Sequence, residues 1–414
     1  MSKRALLIAF HFPPQAASSG IQRTLSFSKY LARHGWEPMV LSAHPRVYGQ
    51  QNPSQLASIP ASMVVRRAFA LDTKRHLGIR GRYSELMALP DRWISWWCDG
   101  VLSGLRLIRK HKPQVLWSTF PIPTAHLIGL TLQRLTGLPW IADFRDPMLQ
   151  PSYPVSTRQR AMYGWLERQT LRRCRYAVFT TRSALADYRM RFPDIDPAKL
   201  RLIENGYDEE EFGALIGEAQ PVRIRQQPVT LLHSGVLYRN GRDPEPFLAA
   251  LAALKAAGRI DSASLRVVLR APGDISSTKA KVTRQGVDDI VSVLPPVPYR
   301  DALGEMMSAD ALLVFQGTPF NSQVPAKIYE YFRARKPILG LVDPAGETAT
   351  ILREAGFSGI VATDQTNAIV DALDRFIPEV RDGNAYIASD AVVARSTRTH
   401  KAGELALLFD EASR

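Results

Sequence analysis

The feature that most constrains the fold is a strand, turn and helix pattern that runs through the chain twice. Short apolar runs, such as residues 5–10 and 229–233, alternate with segments whose apolar residues recur with the helical period. A continuous apolar run is typical of a parallel strand that is buried on both faces. Strands that alternate with helices in this way predict α/β architecture with a parallel sheet in each half.

This pattern predicts a doubly wound, Rossmann-like domain in each half of the chain. Two such domains that face each other would place the carboxyl ends of their strands on either side of one cleft. We place the amino-terminal domain at residues 1–210 and the carboxy-terminal domain at residues 211–390. The joint is expected near residues 205–228, where Gly206, Gly213, Gly217 and Pro221 cluster. The last segment, 391–414, contains a predicted helix that we expect to pack back on the first domain. Ligands of such sheets bind at the carboxyl ends of the strands, so motifs at these ends are considered together.

The charge of the chain indicates an anionic partner. The formal net charge is +14, and nucleic acid, an anionic membrane face or a diphosphate substrate would each be attracted by it. The arginine clusters are not interleaved with aromatic residues in the patterns of RNA-binding modules, which argues against nucleic acid.

The cysteine content favours a reducing compartment. Only Cys98 and Cys174 are present, which is too few for a disulfide framework or a cysteine metal cluster. No run of about 18 apolar residues occurs, so we expect no transmembrane helix and a cytoplasmic location.

The segment 324–339 is the most informative motif. It predicts a helix that presents Lys327 and Glu330, followed by a buried strand from Pro337. Residues at i and i+3 share one helical face, so a cation and a carboxylate lie together near the helix start. They could hold a phosphate and a sugar hydroxyl of one ligand. The alternative is an ion pair between the two on a solvated face.

The first turn of the second half predicts an anion site. Gly235 follows the strand at 229–233, and a helix begins at Pro244. A glycine turn before a helix start exposes free N–H groups to an anion, and Arg242 adds a fixed positive charge.

Two loops of the first half carry further candidates. Ser18, Ser19 and Gly20 precede a helix, where they could approach a phosphate or simply form a helix cap.

Pro123 fits the first position of another helix, which places His126 on its first turn. The positive helix end lowers a histidine pKa, so a neutral ring could bond a sugar hydroxyl. A packing histidine is the alternative.

The segment Asp143-Phe144-Arg145-Asp146-Pro147 places three charges at the end of an apolar strand. Charges beside a buried strand are costly unless they are paired or bind a ligand. Asp143 and Arg145 share strand parity, so they are expected to be able to pair with each other. Such a pair without any ligand is the alternative interpretation.

Together these motifs resemble those of the group-one, family-four-like retaining glycosyltransferases of the GT-B fold. The resemblance covers most of the chain and is most specific at 143–147, 205–208 and 325–331. It implies transfer of a sugar from a UDP- or GDP-sugar to a glycan or polyprenyl-linked acceptor, in cell-surface polysaccharide or glycoconjugate biosynthesis. It also implies retention of anomeric configuration, with no cofactor and no bound metal.

The resemblance assigns roles residue by residue. Lys327 and Arg242 would meet the diphosphate, Glu330 the ribose, and the loop ending at Pro298 the base. The implied catalytic residues are His126, Asp143, Arg242 and Lys327. The implied donor-binding residues are Gly20, Gly235, Arg239, Arg242, Pro298, Ser322, Val324, Lys327 and Glu330. The implied acceptor-side residues are Ser19, Thr124, Arg145 and Asp146.

Two positions depart from the family pattern. Val236 stands where relatives carry an arginine, so Arg239 is expected to substitute for it. Ser322 stands where relatives carry the first of two glutamates, which leaves the donor sugar open. These losses keep two alternatives in view: a sugar-nucleotide hydrolase or epimerase, and a non-catalytic partner protein of the same fold.

A predicted helix over 91–110 raises the question of a membrane surface. Its apolar face carries Trp93, Trp96, Trp97, Val101, Leu105 and Ile108. A basic amphipathic helix with tryptophans can lie in a membrane interface, which would make the protein peripheral on an anionic membrane face. A helix that covers the sheet is the favoured alternative.

Overall fold

The structure is a computed structural model that describes residues 3–16, 19–78, 80, 82–150, 153–216 and 228–414. Contacts divide the chain into unit 1, comprising Met1–Asn205 and Arg398–Arg414, and unit 2, Gly206–Thr397. The sequence analysis placed these boundaries after residues 210 and 390. Backbone pairing explains the earlier first boundary, because Tyr207 already bridges Thr397 and its N–H donates to Ser396 O at 3.0 Å. The predicted joint residues 217–227 lie outside the described residues.

Unit 1 contains a parallel sheet of seven strands in the order β3-β2-β1-β4-β5-β6-β7. The strands are β1 (Lys3–Ile8), β2 (Trp36–Ala43), β3 (Val64–Ala68), β4 (Val115–Thr119), β5 (Trp140–Arg145), β6 (Tyr176–Phe179) and β7 (Leu200–Leu202). The helices are α1 (Ser19–Tyr30), α2 (Trp96–His111), α3 (Pro123–Thr136), α4 (Thr157–Arg173), α5 (Arg182–Arg191) and α14 (Arg398–Ala412).

Helices cover both faces of this sheet. Buried residues of α2, α3, α4 and α5 share one core with the sheet, including Leu130 and Leu166. Helices α1 and α14 cover the other face, where Phe409 packs edge-to-face on Trp36 with 5.2 Å between ring centroids. The strand order reverses between β1 and β4, the point at which open α/β sheets bind ligands.

Unit 2 contains a parallel sheet of six strands in the order β10-β9-β8-β11-β12-β13. The strands are β8 (Val229–Ser234), β9 (Leu265–Arg270), β10 (Val291–Leu294), β11 (Ala311–Gln316), β12 (Ile338–Val342) and β13 (Ile360–Val361). The helices are α6 (Glu209–Ile216), α7 (Glu245–Ala256), α8 (Ile275–Arg284), α9 (Tyr299–Ser308), α10 (Lys327–Ala334), α11 (Glu347–Glu354), α12 (Thr366–Asp382) and α13 (Asp390–Arg395). The order reverses between β8 and β11.

The apolar face predicted for residues 91–110 packs against the core. Helix α2 begins at Trp96 rather than at Asp91, because the Asp91 carboxylate accepts from Trp93 N at 2.9 Å and holds the preceding turn. Trp96 is completely buried, and Trp93, Val101, Leu105 and Ile108 pack against the core of unit 1. The interpretation as a sheet-covering helix is therefore confirmed for these five residues, whereas Trp97 of the same predicted face is 36% exposed. None of the described helices is long and apolar enough to cross a membrane.

Candidate functional site

Lys327 and Gly235 meet at the reversal point of the unit 2 sheet. Lys327 opens α10, and its ammonium donates to the backbone carbonyl of Ser234 at the end of β8. Gly235 follows with φ +134°, and a Cβ added there would overlap Lys327 Nζ. A side chain at position 235 would therefore displace the ammonium as well as strain the backbone. Burial and the nearby Arg242 lower the pKa of Lys327 to about 7.

Arg242 is held rigidly on the neighbouring loop. Its Nε and Nη2 donate to Gln316 Oε1 at 3.0 and 2.6 Å, and its guanidinium lies 4.8 Å from the Phe320 ring centroid. Burial lowers its pKa below the usual range. Gln316 is the last residue of β11 and was missed by the sequence analysis. A polar residue that ends an apolar strand at the ligand edge was the signal that could have found it.

Glu330 lies on the same helix as Lys327 but has a different partner. It is only 8% exposed, and its Oε1 accepts from Tyr299 Oη at 2.7 Å. A buried carboxylate with a partner of its own is not half of a solvated ion pair with Lys327, so that alternative is wrong. Tyr299 begins α9 directly after Pro298, and Pro295 O accepts from Arg270 Nη1 at 2.7 Å. The predicted base-binding loop is thus anchored at both ends.

The remaining donor-side candidates lie at the surface or against the core of unit 2. Arg239 and Ser322 are exposed, and Val324 packs partly against the core around α10. His233, missed by the sequence analysis, lies beneath Gly235 with Nε2 3.1 Å from Gly235 O and Nδ1 3.0 Å from Leu313 O. Burial and Lys327 lower its pKa well below the usual value, so its ring is neutral and donates to only one carbonyl.

In unit 1 the main charged contact is a buried ion pair between Asp143 and Arg23. Asp143 is fully buried, and its two oxygens accept from Arg23 Nη2 at 2.8 Å and Nε at 3.0 Å. Arg23 also donates to the carbonyls of Ile203 and Glu204, each at 3.0 Å, and Thr119 Oγ1 donates to Asp143 at 2.8 Å. Arg23 thereby joins α1, β5 and the segment after β7.

The predicted pair of Asp143 with Arg145 is wrong. The register of β5 against β6 shifts between these residues, and Arg145 has φ +61°, so strand parity no longer applies. Arg145 instead reaches Phe120 O at 3.4 Å.

Arg145 and Asp146 remain partly accessible at the carboxyl edge of the sheet. Burial raises the pKa of Asp146, while Arg145 acts in the opposite direction. Burial and Arg145 lower the pKa of His11, after β1, to about 3.

The other unit 1 candidates have structural partners. Thr124 is buried, and its N–H and Oγ1 donate to the Asp91 carboxylate at 2.8 and 2.7 Å. Ser19 opens α1 next to Gly20, which is buried. Ser18 and the side chain of Ser19 lie outside the described residues.

His126 is a core residue in this structure. It is fully buried, and its ring centroid lies 5.0 Å from that of Phe144. Ser118 Oγ accepts from Trp140 Nε1 at 2.9 Å and forms a second hydrogen bond with His126 Nδ1 at 2.7 Å. Burial, rather than the helix end, lowers the His126 pKa to about 3. Its proposed contact with a sugar stays a prediction. The packing alternative accounts for the ring contacts, whereas His126 Nε2 has no hydrogen-bond partner among the described residues.

Comparisons with known proteins agree with the observed fold. Residues 19–206 match the family model described as Glycosyl transferase 4-like domain. No curated protein matches the chain significantly by sequence.

Solved structures resemble the chain over its whole length. Sucrose-phosphate synthase from Thermosynechococcus elongatus has a TM-score of 0.65 at 14% identity and covers 99% of this chain and 98% of its own. HepE from Anabaena, in complex with UDP and glucose, has a TM-score of 0.66 at 12% identity, with coverages of 99% and 100%. WaaG, a glycosyltransferase involved in lipopolysaccharide biosynthesis, has a TM-score of 0.58 at 14% identity, with coverages of 99% and 98%. The chain therefore has the GT-B fold of these glycosyltransferases and matches the glycosyl transferase 4-like domain over residues 19–206.

Proposed function

We propose that this protein is a retaining glycosyltransferase that moves a sugar from a UDP- or GDP-sugar to a glycan or lipid-linked acceptor. The observation that carries the proposal is the pair of cations, Lys327 and Arg242, at the reversal point of the unit 2 sheet. Two partly buried positive charges with lowered pKa values are costly unless an anion neutralises them. The HepE structure, which contains UDP and glucose, supports a nucleotide-sugar donor. The WaaG likeness supports a role in cell-surface glycan synthesis.

The positive charges of the site match the negative charge that develops in the proposed reaction. Breaking the bond between the sugar and the diphosphate leaves negative charge on the phosphate and positive charge on the sugar. Lys327 and Arg242 are fixed before reaction, so they stabilise the leaving diphosphate without reorganising. Glu330 orients the ribose by accepting from its hydroxyls. A leaving phosphate oxygen takes the acceptor proton, which lets the sugar keep its configuration without a carboxylate nucleophile. No metal is required for this charge balance.

Arg145 and Asp146 are the proposed acceptor-side residues. Both are partly accessible at the carboxyl edge of the unit 1 sheet, next to its reversal point. Asp143 supports them through its pair with Arg23 rather than by touching the acceptor, because both of its oxygens are occupied.

Product analysis tests the function directly. The protein is incubated with UDP- and GDP-sugars, with and without a membrane extract that supplies glycan and lipid-linked acceptors. A transferase releases nucleotide chiefly when acceptor is present and yields an α- or β-linkage that matches the donor. Equal release without acceptor would indicate a hydrolase, and a changed donor sugar an epimerase. Donor binding without any turnover would favour the non-catalytic partner, which the exposed Ser322 at the first glutamate position also suggests.

Affinity for UDP or GDP should fall as the pH rises above 7. The Lys327 pKa of about 7 means that its ammonium form becomes the minority above that pH. Because the diphosphate binds the charged form, affinity should fall by up to about tenfold per pH unit until the higher pKa of the complex is reached. Calorimetry at pH 6.5–9 measures this, and Lys327→Arg is the control because a guanidinium stays charged. An equally steep fall in Lys327→Arg would assign the titration to another group.

Glu330→Gln should weaken binding of the free nucleoside diphosphate by about 10- to 100-fold. A carboxylate that accepts from two ribose hydroxyls becomes an amide with one acceptor oxygen, and hydrogen bonds to a charged group contribute roughly 1.5–3 kcal/mol. Tyr299→Phe removes the hydroxyl that holds Glu330 and should weaken binding less, by severalfold.

The 2′-deoxy form of the same nucleotide separates a ribose contact from a structural effect. Wild-type protein should prefer the ribonucleotide, Glu330→Gln should lose that preference, and Tyr299→Phe should reduce it. If the variants melt earlier but keep the wild-type preference, Glu330 only stabilises α10 against α9.

A further inference from the structure

The net positive charge of the chain comes entirely from unit 1. Unit 1 contains 33 Lys and Arg against 15 Asp and Glu, whereas unit 2 contains 20 against 24. The formal charges are therefore +18 and −4, which together give the +14 of the chain. A diphosphate site in unit 2 does not explain an excess that lies entirely in unit 1. The excess instead points to a second anionic partner that unit 1 itself attracts.

Much of this charge lies on the outer surface of the layer formed by α2, α3, α4 and α5. Its exposed basic residues are Arg106, Arg109, Lys110, Arg134, Arg158, Arg168, Arg172, Arg173, Arg182 and Arg189. Within these four helices, all of whose residues are described, the acidic residues are Asp99, Glu167 and Asp187, and none is exposed. Asp99 accepts from Phe69 N at 2.6 Å, and the other two pair with Arg191. The helix layer therefore presents cations without exposed acids of its own.

Helix α4 shows how this surface is built. Arg158, Trp165, Arg168 and Arg172 are spaced by seven, three and four residues, which places them on one helical face. Trp165 is 45% exposed in the middle of this stripe. Within the part of the chain that the structure describes, the acids that lie within 4 Å of these arginines are Glu85 and Asp194, at 3.6–3.8 Å between exposed side chains. Exposed pairs of this kind are weak and are easily exchanged for another anion.

The same layer exposes apolar side chains between its cations. Leu102 on α2 is 54% exposed, Leu135 on α3 61%, and Met190 on α5 76%. A surface for nucleic acid would need only the charges, whereas large apolar side chains among arginines suit the boundary between lipid headgroups and acyl chains.

We propose that the outer surface of the helix layer α2–α5 docks on an anionic lipid bilayer. Arginines pair with lipid phosphates, and Trp165, Leu102, Leu135 and Met190 enter the headgroup region. The surface lies opposite the core-facing side of α2, so the cations and the tryptophan of α4 carry the contact rather than Trp93 and Trp96. This inference does not depend on the proposed enzymatic function.

Vesicle sedimentation of the full chain tests the proposal. Vesicles of phosphatidylglycerol with phosphatidylcholine should bring down the protein at low salt, and pure phosphatidylcholine should not. Each arginine near an anionic surface strengthens binding roughly fivefold. The triple variant Arg158→Gln, Arg168→Gln, Arg172→Gln should therefore bind on the order of a hundredfold more weakly. The matched control is Arg353→Gln, Arg375→Gln, Arg381→Gln, which makes the same charge change on exposed positions of unit 2 and should bind like wild type.

A single variant and a competitor separate a membrane from any other polyanion. Trp165→Ala keeps every charge but should remove most of the binding that persists at 0.3 M salt, a concentration at which surface charges are largely screened. Absence of wild-type protein from the anionic vesicle pellet at low salt would overturn the proposal. Equal losses in both triple variants would also overturn it. Wild-type vesicle binding by Trp165→Ala, together with complete displacement by single-stranded DNA, would instead assign the surface to nucleic acid.

Discussion

Replacing Lys327 with alanine should slow turnover of the donor by about 10²–10³, and Arg242→Ala should do the same. Each side chain is expected to form a charge-assisted hydrogen bond to the leaving diphosphate in a partly buried site. Losing such a bond costs roughly 2–4 kcal/mol of transition-state stabilisation. Steady-state rates of nucleotide release, measured at saturating donor and acceptor, report the effect.

Lys281→Ala is the matched control for this prediction. Lys281 is another partly buried lysine of unit 2, but it pairs with Asp243 rather than lying at the reversal point. Its loss should affect the melting temperature and leave the rate per folded molecule unchanged. Wild-type rates in both Lys327→Ala and Arg242→Ala would remove the phosphate-site assignment.

Asp143→Ala should lower the free energy of unfolding by about 3–5 kcal/mol. Removing one partner of a buried ion pair leaves the other charge buried and uncompensated, which is far more costly than removing the pair. Chemical unfolding of unit 1, followed by its tryptophan fluorescence, measures the change. Asp187→Asn disrupts the more exposed contact with Arg191 and should cost less than about 1 kcal/mol.

The double variant Arg23→Met, Asp143→Leu distinguishes a stabilising pair from a catalytic carboxylate. Two apolar residues of similar volume should restore most of the stability lost in Asp143→Ala. If the role of the pair is to position Arg145 and Asp146, the double variant should also keep measurable turnover. A variant as stable as wild type but completely inactive would show that Asp143 itself takes part in the reaction.

The strands could be predicted because a strand that is buried on both faces is a continuous apolar run in the sequence. The apolar run 338–342 coincides with β12, and the run 229–233 differs from β8 only by Ser234. Lys327 and Glu330 could be found because i and i+3 on a helix is a local relation. The site therefore follows from sequence wherever spacing along one element decides which side chains meet.

The remaining contacts depend on residues far apart in the chain. Arg23 is separated from Asp143 by 120 residues, and Tyr299 from Glu330 by 31. The helical period of the apolar residues alone does not tell whether an arginine of an amphipathic helix is buried or faces water. The prediction for Arg145 was wrong for a different reason, because the register of the strand shifts between Asp143 and Arg145 and this changes the direction of the side chain.

The discontinuity of unit 1 has a consequence for the order in which the protein is made. The face of its sheet that carries Trp36 and Trp117 is closed by α14, which leaves the ribosome only after the whole of unit 2. Unit 2 is continuous in sequence, so all of its strands are synthesised before that helix appears. Nascent chains must therefore hold an incomplete first unit while the second one folds. A chain that stops at Thr397 would expose that apolar face and become a substrate for chaperones and proteases.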